Sequence, residues 1–527
     1  MKGRIATPSR AMNHVLAYSQ ELCSNINEDL ERARTSSQDE INELSKGYKH
    51  SVAGCGVPIL DLLQRQSAVA CRRDGNFTLL QRRLDDLISL ATEKFYAYPF
   101  REVPECWRRL FTDASIVKAA SMLAKGTWVS DGASLGGETY SDLDSSVLDD
   151  VVKTLDMACI MAGAPGPSRR DWIEQMMHLL SQACDPASDA SPGRACKRRK
   201  LDGVAEKDIF PTSAVYVPPS NRPIDKTSAP SLDRFAKHMH HPLDPAVGPI
   251  PLVIQDSLDH WPARSERPWN RPSYLLSKTL GGRRMVPIEV GRSYVDEGWG
   301  QKIIPFKKFM QDYLLPTDQD PLEPPNSHHR KEPEGETDGP DSKARLRPTG
   351  YLAQHDLFTQ IPSLRSDIGI PDFCYVPPPS PHPSSPLAAK HGKMRELHEP
   401  LLNAWFGPAG TISPLHTDPY HNILAQVVGR KYLRLYAPRE SGKLYARGVE
   451  EGGVDMGNTS ALDVGVLEGW DGTPEESACA RAKFALYEEA EYVDCILEEG
   501  ECLYIPVGWW HYVRSLSVSF SVSFWWN

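Results

Sequence analysis

The stretch from residue 402 to 438, "LNAWFGPAGTISPLHTDPYHNILAQVVGRKYLRLYAP", decides what kind of protein this is. It divides into short runs of β-type composition, "LNAWFG", "NILAQVV" and "KYLRLYA", separated by Gly and Pro. Between them lies "LHTDPYH". Side chains two apart on an extended strand share a face, so His416 and Asp418 point together, whereas His421 has the opposite parity and follows Pro419. One strand cannot surround an ion with three ligands, so a third must come from elsewhere. The block "LYIPVGWWHYVRSLSVSFSVSFWW" (503–526) supplies it, with Pro506 and Gly508 making a turn before His511. H-x-D with a distant H is the two-histidine, one-carboxylate pattern of non-haem Fe(II) oxygenases. A three-ligand zinc site, or buried histidines that only hydrogen bond, would satisfy the same spacing.

The next strand raises a second question. Alternation in "KYLRLY" puts Lys431, Leu433 and Leu435 on one face and Tyr432, Arg434 and Tyr436 on the other. A lysine on the aliphatic face of a core strand is costly unless an anion meets it. Lys431 is therefore a candidate partner for a bound dicarboxylate, with Ser413 offering a hydroxyl. Snorkelling at a strand end beside Gly429 is the alternative, and the spacing leaves both open.

Further out, "PIPLVIQ", "MVPIEV", "CLYIPV" and "SVSFSVSFWW" repeat the short-strand texture, which indicates a sandwich or barrel. Residues 10–185 instead have helical periodicity: "FTLLQRRLDDLISLATEKF" places Leu79, Leu80, Leu84, Leu87 and Leu90 on one stripe. The expected organisation is a helical N-terminal domain over 1–185, a flexible linker over 186–227 and a β-rich domain over 228–527. Two stretches, 316–350 and 375–400, read as disordered insertions, which discounts His328, His329 and His382 as ligands.

Composition sets the outer bounds. A chain of 527 residues exceeds one ordinary core, and a net charge of -10 gives no strong nucleic-acid signal. Eleven cysteines, odd in number and without a C-x-x-C pair, suggest a reducing compartment with no disulfide frame or zinc finger. The sequence has no signal-peptide h-region and no run of eighteen apolar residues, so neither secretion nor membrane spanning is expected. Lys197, Arg198, Arg199 and Lys200 form either a nuclear import signal or a solvated charge run, and the expected location is the nucleus, the cytoplasm or both.

The two quoted blocks, with "PIEVGRSYVDEGW" (287–299) and "GYLAQHDLFTQIPSLRSDIGIPDFC" (350–374), closely resemble the JmjC-domain 2-oxoglutarate oxygenases. They are most like a subgroup described both as lysine demethylases and as arginyl hydroxylases with peptidase activity. The similarity runs from about 229 to 527, and more loosely through "EVPECWRRLF" and "TLDMACIMAGA" in the helical region. The resemblance implies an α+β multidomain protein whose catalytic domain is a double-stranded β-helix, a cupin-like jelly roll. It implies Fe(II), with 2-oxoglutarate and O2 as co-substrates, and metal ligands at His416, Asp418 and His511. Lys431, Tyr351 and Ser413 fall to the distal carboxylate of 2-oxoglutarate and Asn422 to its metal-proximal end.

Glu289, Tyr294 and Trp299 match substrate-pocket positions, and Gln354, Trp405 and Trp525 join them. An acid with aromatic rings suits a guanidinium or ammonium, so the expected partner is a protein or peptide with a basic side chain. Arginyl hydroxylation is the leading expectation, N-methyl-lysine demethylation the alternative, and a non-catalytic metal-holding binding module a second alternative. No separate nucleophile or zinc motif supports a peptidase. The sequence stops sixteen residues after His511, without the C-terminal helices through which some related oxygenases dimerise, so a monomer is expected.

Overall fold

In a computed structural model, the described residues are 10–35, 51–72, 76–126, 144–184, 208–212, 216–292, 298–315, 349–450 and 453–527. They form two compact units, Met1–Leu201 with Thr279–Met285, and Asp202–Lys278 with Val286–Asn527.

The first unit is helical: α1 (Arg10–Thr35), α2 (Val57–Arg72), α3 (Phe77–Tyr96), α4 (Glu105–Gly126), α5 (Ser145–Ala162) and α6 (Arg169–Cys184). Asn76 caps α3 by accepting from the Leu79 amide, and the helix buries Leu80, Leu84, Leu87 and Ala91, a 4-3-4 spacing that keeps one face. Leu79 lies about a quarter-turn off that face and is exposed, which corrects the stripe read from sequence. A segment from the middle of the β-rich sequence belongs to this unit. Buried Arg284 bonds both carboxylate oxygens of buried Asp156 at 2.7–3.0 Å, and Asp156 also accepts from the Met285 amide. A boundary drawn only at the linker misses this segment.

The second unit holds β1 (Lys226–Ser228), β2 (Leu252–Gln255), β3 (Met285–Val290), β4 (Gly300–Pro305), β5 (Gly350–His355), β6 (Leu401–Gly407) and β7 (Ile412–Thr417). It continues with β8 (His421–Val428), β9 (Lys431–Tyr436), β10 (Tyr492–Leu497), β11 (Cys502–Ile505), β12 (Trp510–Ser515) and β13 (Ser519–Trp526). They form a nine-stranded sheet in the order β1-β2-β11-β8-β13-β6-β5-β3-β4 and a four-stranded sheet in the order β10-β9-β12-β7. This is the double-stranded β-helix that the resemblance implies, and it agrees with the sandwich or barrel read from the strand texture.

Alternation sorts the side chains into layers. Leu424, Leu433, Leu435, Leu503 and Val513 share one buried cluster between the sheets. Phe520, Val522, Phe524 and Trp526 of β13 join a second cluster with Trp261, Trp269 and Phe406, while Ser519, Ser521 and Ser523 take the opposite face. Tyr432, Tyr436 and Tyr512 face outward from the smaller sheet and are covered by Leu462, Leu467, Trp470 and Tyr487.

Two segments expected to be flexible are packed. Residues 216–227, assigned to the linker by sequence, bind the barrel. Buried Asp494 on the edge strand β10 accepts from Ser220 Oγ and the Asn221 and Arg222 amides, and β1 pairs with β2. An open sheet edge invites such an extended segment, and composition alone does not reveal it. Residues 375–400 also pack. Trp526 Nε1 donates to Val376 O (3.1 Å) and His421 Nε2 to Pro379 O (3.2 Å), and residues 382–394 close turns of their own, among them the helical turn Ala388–His391. Residues 316–348 and the Lys197–Lys200 cluster lie outside the described residues. Among the described residues, no helix is long and apolar enough to cross a membrane.

Candidate metal centre and active site

The three candidate ligands meet. His416 in β7 is the direct cross-strand partner of His511 in β12, with ring centroids 4.2 Å apart. Asp418 follows β7 in the turn to β8, its Oδ1 3.8 Å from His416 Nε2 and its Oδ2 3.5 Å from His511 Nε2. One possible ligand atom from each of the three lies within 4.8 Å of the others.

Strict alternation does not explain why Ser413 joins them, because it stands three positions before His416. The register does. His511 pairs with His416 and Val513 with Ser413, so three steps on β7 oppose two on β12, a β-bulge at Pro414–Leu415. The extra residue brings Ser413 and His416 to the same inner side and sends Leu415 into the outer cluster. Pro414 was the available signal, since proline inside a strand marks an edge or a bulge. His421 stays out of the cluster: its Nδ1 accepts from the Tyr504 hydroxyl at 2.9 Å, and its Nε2–H goes to Pro379.

The imidazoles are oriented by groups the motif does not name. His416 Nδ1 donates to Pro414 O (2.7 Å) and His511 Nδ1 to Trp509 O (3.1 Å), each a carbonyl two residues upstream. A carbonyl only accepts, so both Nδ1 atoms carry protons and both Nε2 atoms face Asp418, the tautomer a metal requires. Burial, followed by the neighbouring His511, pushes His416 down to about 4, so it is neutral at pH 7. Burial alone would raise Asp418, but the hydrogen bond and charge of His511, with the His416 and His391 fields, hold it below the usual carboxylate range. Two imidazoles and one carboxylate form a donor set that fits a divalent transition ion.

The free edge of β7 is held from a segment the sequence left unassigned: Thr417 N donates to Asn458 O (2.9 Å) and Ser460 N to Leu415 O (2.8 Å).

Lys431 opens β9 and is only 1% exposed. Its ammonium points inward, donating to Tyr351 Oη at 3.3 Å, so snorkelling is overturned. Burial pushes its pKa down to about 7, and among the described residues no carboxylate pairs with it. Tyr351, Ser413 and Asn422 line the same cavity as Lys431 and the three candidate ligands. Asn422 Oδ1 is buried without a hydrogen-bond partner among the described residues. A desolvated cation beside a candidate metal centre has the chemistry of a site for a chelating anion.

The expected substrate residues are only partly gathered. Trp405 lines the cavity and donates from Nε1 to Ser523 Oγ (2.9 Å). Trp525, cross-strand from Asn422, packs its ring 5.9 Å from Tyr420 and buries an Nε1 that has no partner among the described residues. Glu289 is the cross-strand neighbour of Tyr351 and accepts from Trp299 Nε1 at 3.4 Å, and burial raises its pKa. Glu289, Trp299 and Trp525 stand outside the metal cavity lining. Gln354 is exposed, at φ 46 where β5 slips in register against β6, and does not join the site. Tyr294 lies outside the described residues.

A family model described as a cupin-like domain matches residues 247–527, a range that contains the whole cluster. The chain belongs to this cupin-like family, as a 2-oxoglutarate-dependent oxygenase of the JmjC type. Within that family it is similar to the Danio rerio protein named lysine-specific demethylase 8, 32% identical over 450 residues, which span 84% of this chain and 87% of the relative. Arabidopsis thaliana lysine-specific demethylase JMJ30 is 40% identical over 304 residues (58% of this chain, 54% of the relative). The human bifunctional peptidase and (3S)-lysyl hydroxylase JMJD7 is 24% identical over 306 residues (57% and 84%).

Proposed function

We propose that this oxygenase uses Fe(II) at His416, Asp418 and His511 to hydroxylate a basic side chain of a protein, with arginine the favoured target. The observation that carries the co-substrate assignment is Lys431: a buried ammonium without a carboxylate partner among the described residues, in the cavity of the His/Asp cluster, fits a dicarboxylate. For the target, an acid with a raised pKa beside an indole, Glu289 with Trp299, supports a planar cation. Demethylation of N-methyl-lysine is the second reading, favoured by the names of two of the relatives.

Fe(II) with 2-oxoglutarate and O2 supplies the oxidising power: 2-oxoglutarate leaves as succinate and CO2, and one oxygen atom enters a substrate C–H bond. The side chains do the rest. The two imidazoles and the one carboxylate would hold the ion. Lys431, with Tyr351 and Ser413, anchors the far carboxylate, and Asn422 steadies the near end. Leu424, Ile505 and Val513 keep bulk water off the cavity wall. The same C–H step on an N-methyl group gives a hemiaminal that breaks down to formaldehyde and amine.

Peptides carrying arginine or methyl-lysine, incubated with iron, 2-oxoglutarate and the protein, separate the readings by mass. Addition of one oxygen to arginine supports the first, and loss of a methylene from methyl-lysine supports the second. Succinate formation that no peptide stimulates would sink both.

Lys431→Ala is expected to raise the 2-oxoglutarate concentration needed for half-maximal turnover roughly 10- to 150-fold, the worth of a charge-assisted hydrogen bond of about 1.5–3 kcal/mol, without changing iron affinity. Wild-type affinity carries a pH signature. Lys431 is protonated below about pH 7, and an anion raises its pKa, so binding above pH 7 takes up a proton. Affinity should be flat below pH 7 and fall above it, by up to about tenfold per unit, and the Ala variant should lose the slope. An unchanged constant in Lys431→Ala would remove the lysine from the co-substrate site.

A further inference from the structure

The helical unit contains a thiol pair that the oxygenase reaction does not use. Cys55 ends the short 3-10 turn Val52–Cys55, and Cys106 lies in the first turn of α4. The turn packs so closely on the helix that a Cβ added at Gly54 would stand 2.9 Å from Cys106 Cβ and 3.1 Å from its Sγ. The Cys55 thiol hydrogen bonds to Cys106. That bond, helped against burial by the backbone amides of Trp107 and Cys106 at the start of the helix, holds the Cys106 thiol down to about 7. Both cysteines are partly exposed, so a small oxidant can reach them, whereas Cys374 and Cys502 of the catalytic unit are buried.

We propose that Cys55 and Cys106 form a reversible dithiol switch that hydroperoxides oxidise to a disulfide. Cys106 is the attacking thiolate and Cys55 the resolving thiol. The Cys106 sulfur attacks one peroxide oxygen; an S–O bond forms, the O–O bond breaks and hydroxide leaves, taking up a proton to become water. The Cys55 sulfur then attacks Cys106; the S–S bond forms, the S–O bond breaks, and the hydroxyl departs as a second water with the Cys55 proton. Two thiols lose two electrons and one hydrogen peroxide gains them. A dithiol reductant reverses the change. The product ties the turn to the start of α4.

The full-length protein, kept with a chelator to silence metal-driven peroxide chemistry, is treated with hydrogen peroxide, alkylated, digested and read by mass spectrometry. The expected result is a Cys55–Cys106 crosslink as the leading product, with two alkylatable thiols lost and both regained on adding dithiothreitol. In Cys55→Ser, a sulfenic acid trappable by dimedone should accumulate at Cys106 with no intramolecular crosslink; in Cys106→Ser, Cys55 should stay reduced. Gly54→Ala keeps both thiols but wedges the turn away from the helix, so its crosslink should form several-fold more slowly. Oxidation that appears first at the exposed Cys184 or Cys479, with no Cys55–Cys106 product, overturns the proposal. That wild-type result decides the matter even if a variant fails to fold.

Discussion

Asp418→Ala is expected to abolish both iron binding and succinate formation while leaving the fold intact. The carboxylate is the one anion among three candidate ligands, and its side chain is 12% exposed between two imidazoles. Loss of a group that merely supports a ligand costs roughly 10- to 100-fold in metal affinity or activity, and loss of a ligand should exceed that. Stability should change little. Burial penalises this carboxylate even as His511 and His416 favour it, so alanine removes a cost along with a benefit. His416→Ala should behave alike, whereas His421→Ala should still bind iron, because that ring is occupied by Tyr504 and Pro379. Calorimetric iron titration with a melting curve checks each variant. Iron bound normally by Asp418→Ala, or lost only in His421→Ala, would refute the ligand assignment.

Removing residues 524–527 should have the other large effect, on folding. Phe524 is fully buried, Trp526 is 3% exposed and Trp525 7%. They complete β13, which runs between β8 and β6 in the interior of the nine-stranded sheet. Truncating one buried Phe or Trp costs about 3–5 kcal/mol, so losing three at once approaches the whole 5–15 kcal/mol by which domains are stable. The truncated protein is expected to be insoluble or to lose near-ultraviolet circular dichroism in its catalytic unit. A soluble, succinate-forming truncation would show that this end of β13 is dispensable.

What sequence made legible follows from where the information resides. His416 and Asp418 were readable because two residues apart on an extended chain is a local fact, and His511 because one more imidazole was needed beyond a proline-glycine turn. Lys431 was readable as a problem, a charge among leucines, but spacing could not say whether its ammonium turned in or out; that depended on strands far away in sequence. Packing of 216–227 and 375–400 was illegible for a related reason. Proline-rich and polar stretches fold when a distant edge or donor, such as β10 or Trp526, accepts them. Residues 440–490 concealed the strand-edge partners of β7, since Asn458 and Ser460 contribute backbone atoms to that edge.

The bulge in β7 sets what kind of change the gene can tolerate there. Swapping the letter at position 415 alters an outward side chain and leaves the count intact. Deleting one codon between 413 and 416 would close the bulge yet leave the serine and the histidine two apart, a spacing at which regular alternation still turns both into the cavity. Inserting one codon would set four steps on β7 against two on β12, more than a single bulge absorbs. Loss of one residue in this interval should therefore be borne more easily than gain of one.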